Sequence, residues 1–160
     1  MRPIRRLTVP VCVSRNGPTR PTSPCDRRKS VMPLVRVSRR VGRSATENKS
    51  LLDAVHGALV EAFRIPEADR HQQLIELDAA HFEIPGGRGD GFTLVEITAF
   101  AGRSAEAKRA LYRAMARRCE AIGVARGDLF VVITDPPLEN WSPRNGESSA
   151  DVKPSFKLDV

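Results

Sequence analysis

No Cys-x-x-Cys pair and no cysteine–histidine ligand spacing occurs in these 160 residues. The three cysteines, Cys12, Cys25 and Cys119, are odd in number and far apart, which argues against both a disulfide framework and a zinc site. Such usage fits a reducing, cytoplasmic setting. No apolar run approaches the roughly 18 residues that a membrane span requires. Acid is scarce only at the start, where residues 1–31 carry eight of the 26 basic residues and one of the 19 acidic ones. The rest balances 18 basic against 18 acidic residues, so the overall charge of +7 belongs to the leader. A folded part without net charge has little to hold a phosphate backbone, and no nucleic-acid partner is expected for it.

Residues 1–31 are rich in Arg, Pro and Ser and show no sustained helical or strand period. Leu7 to Val13, behind Arg5 and Arg6, has the outline of a secretion signal, but Pro10 interrupts it and Arg15 ends it. No small-residue cleavage site is clear either. The stretch reads as a disordered extension, or as a start assigned too far upstream.

Composition changes abruptly at Met32. Met32-Pro33-Leu34-Val35-Arg36-Val37-Ser38 has the look of a protein start followed by a short apolar strand. Ser44-Ala45-Thr46-Glu47 is a capping box, in which the serine accepts from an orphan N–H and the glutamate reaches back. Leu51, Leu52, Val55, Ala58, Leu59, Ala62 and Phe63 follow at helical spacing, so one face is apolar. Ile65-Pro66 is expected to stop this helix, because proline disfavours helical geometry in the residue before it. Gln72 to Leu77 reads as a second strand, and the glycine-rich run from Gly86 to Gly91 as a turn. It lacks the strand-before, helix-after setting of a phosphate loop.

The pattern then repeats. Phe92 to Phe100 is a third strand, and Gly102-Arg103-Ser104-Ala105 repeats Gly42-Arg43-Ser44-Ala45 at a separation of 60 residues. A second amphipathic helix ends at Gly123, and Leu129 to Ile133 makes a fourth strand. Helical crossovers return the chain in the same sense, so the strands of each copy run parallel. Both helices on one face leave the other face of the sheet bare, which predicts a homo-oligomer. The expected organisation is an extension over 1–31, a domain over 32–145 and a tail over 146–160.

With the Met-Pro start, the Gly-Arg-Ser turn and the duplicated strand–helix–strand in place, the chain resembles the tautomerase superfamily. Residues 32 to about 145 are most similar to its malonate semialdehyde decarboxylase-like members. The likeness rests on Leu51 to Ala58, Ile65-Pro66-Glu67-Ala68-Asp69-Arg70, the turn at Gly102-Arg103-Ser104, and Glu139-Asn140-Trp141-Ser142. It implies a duplicated β-α-β fold of the α/β class, a homotrimer, an N-terminal proline as catalyst and no cofactor.

The resemblance also assigns roles, each with a plainer alternative. Pro33 would be the acid or base. A free α-amine titrates at about 7.7–8.0 and lower when desolvated or near cations, which suits proton abstraction beside a carbonyl. An amide nitrogen has no basic lone pair, so this holds only for a chain that starts at Pro33; otherwise Pro33 merely opens an edge strand. Arg103 would grip a substrate carboxylate with its planar fork, or else lie exposed at a helix start. Arg43 is its counterpart and is read as structural. Asp69 would assist the proline, or serve as an ordinary turn residue. His71 and Trp141 would share the pocket, or be a solvated histidine and the anchor of a loose tail. Phe100 would make the pocket apolar and favour a neutral amine. His56, among Leu52, Leu59 and Phe63, reads as a packed histidine, and nothing singles out His81.

Decarboxylating members carry two arginines flanking a proline at the second strand-to-helix turn, where this chain has Ala101-Gly102-Arg103. The missing arginine moves the expectation from decarboxylation or hydration to keto–enol tautomerisation of a small 2-oxo or enol carboxylate. The expected site is Pro33, Asp69 and Arg103 for chemistry, with Arg103, Phe100, Trp141 and His71 for substrate. The alternatives are a decarboxylase or hydratase of the same fold and, with Met1 as the true start, a non-catalytic oligomeric binding module.

Overall fold

The computed structural model describes residues 33–143 and 145–151. The expected basic extension and the last part of the tail, 152–160, lie outside them. The chain runs β1 (Pro33–Arg40), α1 (Ala45–Phe63), β2 (His71–Leu77), β3 (Thr93–Ala99), α2 (Ala105–Glu120) and β4 (Leu129–Thr134). Strand order is β2-β1-β3-β4, with β1/β2 and β3/β4 parallel and β1/β3 antiparallel. This is the α/β architecture that two strand–helix–strand copies predict.

Each helix starts as its sequence dictates. Ser44 accepts from Glu47 N while the Glu47 carboxylate accepts from Ser44 N at 2.8 Å, closing the capping box. Ser104 accepts from Ala107 N at the head of α2. Gly42 and Gly102 hold nearly the same left-handed φ, 113° and 118°, a conformation that a side chain would strain. The end of α1 differs from expectation. It stops at Phe63 because Arg64 turns left-handed (φ 52°), one residue ahead of Ile65-Pro66.

Both helices pack on one face of the sheet. Val35, Val37, Val95 and Ile97 meet Leu51, Val55 and Leu59 of α1 and Leu111, Met115 and Cys119 of α2, all essentially buried. Each large apolar side chain so buried contributes about 1.5–3 kcal/mol. The opposite face is bare and exposes Leu34, Phe130 and Val132.

The register makes the duplication geometric. Pro33 pairs with Ala99, Arg39 with Thr93, and Arg36 with Glu96. Because Arg36 and Glu96 are themselves 60 residues apart, their pair sits at the centre of an approximate two-fold relating the halves. Pro33 and Thr93 therefore occupy equivalent places, as do Ala99 and Arg39, and Arg103 and Arg43. β1 is an interior strand, not the edge strand that the plainer reading of Pro33 assumed. Proline is tolerated there as the first residue of the strand.

Candidate active site

The start of β1, the end of β3 and the head of α2 converge. Pro33 is fully buried opposite Ala99, and the next residue of the third-strand segment is Phe100. Gly102 then turns the chain so that Arg103 folds back, donating from Nη1 to the Phe100 carbonyl at 2.9 Å. Its guanidinium carbon lies 4.5 Å from the centre of the Phe63 ring. Arg103 is 7% exposed, and its buried Nε has no hydrogen-bond partner among the described residues. Burial pulls the guanidinium below its ordinary value, and Asp135 partly offsets this. Asp135 is itself held by Lys108 at 2.6 Å. A buried donor left open is costly unless something else fills it.

An apolar wall closes this corner. Phe100 and Trp141 meet edge to face with centres 4.8 Å apart. Trp141 is fixed by donating from Nε1 to the Pro136 carbonyl at 3.3 Å, and Ser149 N donates to its carbonyl at 2.8 Å. Of the two alternatives for this residue, it packs on Phe100 and also anchors the segment after β4.

Asp69 lies at the foot of β2, its side chain 4% exposed, with Oδ1 3.4 Å from His71 Nε2. His71 is half-exposed and pairs in register with Leu34, the neighbour of Pro33. The predicted site residues thus form two groups, Arg103 with Phe100 and Trp141 and Asp69 with His71, and the register sets Pro33 between them. A cavity of about 550 Å3 opens on the bare face, with Arg36, His71, Gln73, Glu96 and Thr98 in its wall. Pro33, Asp69, Arg103, Phe100 and Trp141 do not line it.

The residues 69–144 match the model of a family described as tautomerase enzymes. Over 123 residues the chain is 34% identical to the probable tautomerase YrdN of Bacillus subtilis (strain 168), covering 73% of this chain and 95% of that protein. The chain belongs to the tautomerase superfamily. Among solved structures, this tautomerase-family chain is 32% identical to the FG41 malonate semialdehyde decarboxylase inhibited by 3-bromopropiolate. That likeness covers 71% of this chain and 91% of the decarboxylase, with a TM-score of 0.66. The Q0 fused 4-OT, a symmetric trimer, is 29% identical over 75% of this chain and 98% of its own, also with a TM-score of 0.66. Family and fold together support tautomerase-like activity or the related decarboxylase and hydratase chemistry.

The other half of this tautomerase fold carries charges of its own at the equivalent positions. Arg43 is exposed and lies 3.6 Å from Glu47, one turn along the head of α1. Arg39, which the sequence reading did not single out, is 4% exposed where the Pro33 half has Ala99. Burial and Arg43 lower its pKa, while Glu76 and Glu47 offset this. The inward alternation of Val35, Val37 and Arg39 was the available signal. Phe63 was read as a core residue only; its place under Arg103 depends on where α1 ends. His56 is buried with Nε2 2.9 Å from the Glu67 carbonyl, a packed histidine, and His81 pairs with Asp78 at 2.7 Å on the surface.

Proposed function

We propose that a chain beginning at Pro33 is a cofactor-independent tautomerase acting on a small 2-oxo or enol carboxylate. The observation that carries this reading is Arg103, a buried guanidinium whose Nε is open and whose acidic neighbour is already taken by Lys108. A substrate carboxylate supplies the missing acceptor, and two charge-assisted hydrogen bonds fix its plane. The Pro33 amine takes a proton from the carbon beside the substrate carbonyl. The electron pair moves to the carbonyl oxygen as an enolate, and the ammonium then returns the proton to that oxygen; ketonisation runs the same steps backwards. Phe100 and Trp141 keep water out and disfavour the charged amine.

The duplication supports Asp69 as the residue that assists the amine. Asp69 stands two positions before His71, which faces Leu34; Asp128 stands two before Phe130, which faces Leu94. The Asp128 carboxylate accepts from Gly89 N at 2.6 Å and lies within 3.2 Å of where Cβ atoms on Gly89 and Gly91 would sit. That is the chain entering β3. The equivalence supports a position for the Asp69 carboxylate near the start of β1, where a free Pro33 amine would be.

Decarboxylation or hydration of the malonate semialdehyde type is the second reading, favoured by the 32% identity to such a decarboxylase. Ala101 stands where the charge that assists it would be. The bare sheet face and the trimeric neighbour support a homotrimer. With residues before Pro33 retained, its nitrogen is an amide, and the domain becomes an oligomeric binding module. Product analysis separates these. The Pro33-initiated protein should ketonise phenylenolpyruvate faster than it decarboxylates malonate semialdehyde, and Arg103→Ala should abolish both; faster decarboxylation would install the second reading.

A further inference from the structure

We infer that His71 is a positioning residue for Asp69, holding the buried carboxylate and drawing its charge away from the Pro33 nitrogen so that the amine stays a free base near neutral pH. This rests on the N-terminal proline chemistry proposed above. The geometry behind it is the pair itself. An oxygen of an almost fully buried carboxylate stands 3.4 Å from an imidazole nitrogen, and His71 also lines the cavity of the bare face.

The duplicated half is an internal control. At the position equivalent to His71 it has Phe130, which cannot donate a hydrogen bond. There Asp128 does structural work, bracing the chain ahead of β3 through Gly89 N. The half with the proline has at this position a ring that can donate, 3.4 Å from the aspartate.

Unrestrained, a carboxylate beside an amine raises the amine's pKa by about 1–3 units. That would leave Pro33 mostly protonated at neutral pH and unable to accept. An N–H from His71 shares the carboxylate's charge and moderates the effect. Other charged groups lie near the pair. Arg70 is ion-paired to Asp53 of α1 and donates to Gln72. Arg36 of β1 and Glu96 of β3 flank His71 in the cavity wall, and Arg103 comes from the head of α2.

The amine's pKa can be read without turnover. The Pro33-initiated protein is treated with a small isothiocyanate across pH, and the labelled N-terminal peptide is quantified by mass. His71→Ala is expected to raise the midpoint of Pro33 labelling by about 0.5–1 pH unit, and His71→Gln, which keeps a donor, by less. In an Asp69→Asn background the same substitution is expected to shift nothing, because the charge that His71 moderates is gone. The acid limb of kcat/KM should move in the same direction by the same amount. An unchanged midpoint in a folded His71→Ala protein overturns the proposal, as does an equal shift with Asp69 absent. Failure of the parent reading looks different: Pro33 labels with a normal midpoint, yet the protein turns over no carboxylate.

Discussion

Replacing Arg103 with methionine separates what this residue does for the fold from what it does for function. The folded state would lose the charged donor to the Phe100 carbonyl and the stacking on Phe63. These are worth about 1.5–3 and about 0.5–2 kcal/mol. Against that, a guanidinium buried with an unfilled Nε carries a desolvation penalty of roughly several kcal/mol, which methionine removes while filling much of the same space. The two nearly cancel, so Arg103→Met should change the unfolding free energy by no more than about 1 kcal/mol in either direction. Activity should behave differently, because on the proposed mechanism the carboxylate loses its bidentate partner. Two charge-assisted hydrogen bonds at about 1.5–3 kcal/mol each correspond to a loss of at least about 100-fold in kcat/KM. Urea titration of both proteins gives the first quantity and phenylenolpyruvate ketonisation the second. A variant destabilised by more than about 3 kcal/mol that keeps its activity would show that Arg103 is a structural cation and that the open Nε means nothing.

Two further predictions follow from the packing. Burial raises the Cys119 thiol from 9.0 to about 11. The folded form then keeps its proton longer than the unfolded form, so this contribution to stability is complete below pH 9.0 and lost as pH climbs toward about 11. Thermal unfolding of Cys119→Ala should accordingly fall less steeply than wild type over that range, and native Cys119 should resist iodoacetamide at neutral pH. On the bare face, Phe130→Lys with Val132→Asp should convert an oligomer to a monomer by light scattering while leaving the circular dichroism spectrum in place. A protein whose mass in solution is the same with and without these charges would place the subunit contact elsewhere.

The fold was legible because each level of the sequence agreed with the next. The capping box at Ser44, the apolar stripe from Leu51 to Phe63 and the repeat of Gly-Arg-Ser-Ala at 60 residues all specify one architecture, and the parallel pairing follows from the crossovers. What the sequence could not supply were properties of three-dimensional neighbours. That Pro33 enters an interior strand follows from strand order, which no local pattern encodes. That Arg103 stacks on Phe63 depends on α1 ending at a left-handed Arg64, a conformation the sequence suggested for no arginine. The Asp69–His71 pair is two residues apart in a turn-to-strand junction, and its spacing is too ordinary to be read as a motif. Arg39 was overlooked because charged residues on strands usually face water, whereas this one faces the helices.

On the proposed mechanism, catalysis belongs to a free Pro33 amine working with Arg103. It is tested most directly by comparing two proteins that differ by one residue, one starting at Pro33 and the other retaining Met32 through a variant start that blocks its removal. Each is checked by intact mass and assayed for phenylenolpyruvate ketonisation. Turnover is expected only where the nitrogen is an amine, with a loss of at least about 100-fold when Met32 remains, the lower end of what one general base contributes. Equal rates from the two proteins would contradict it, because a proline amide cannot accept the proton.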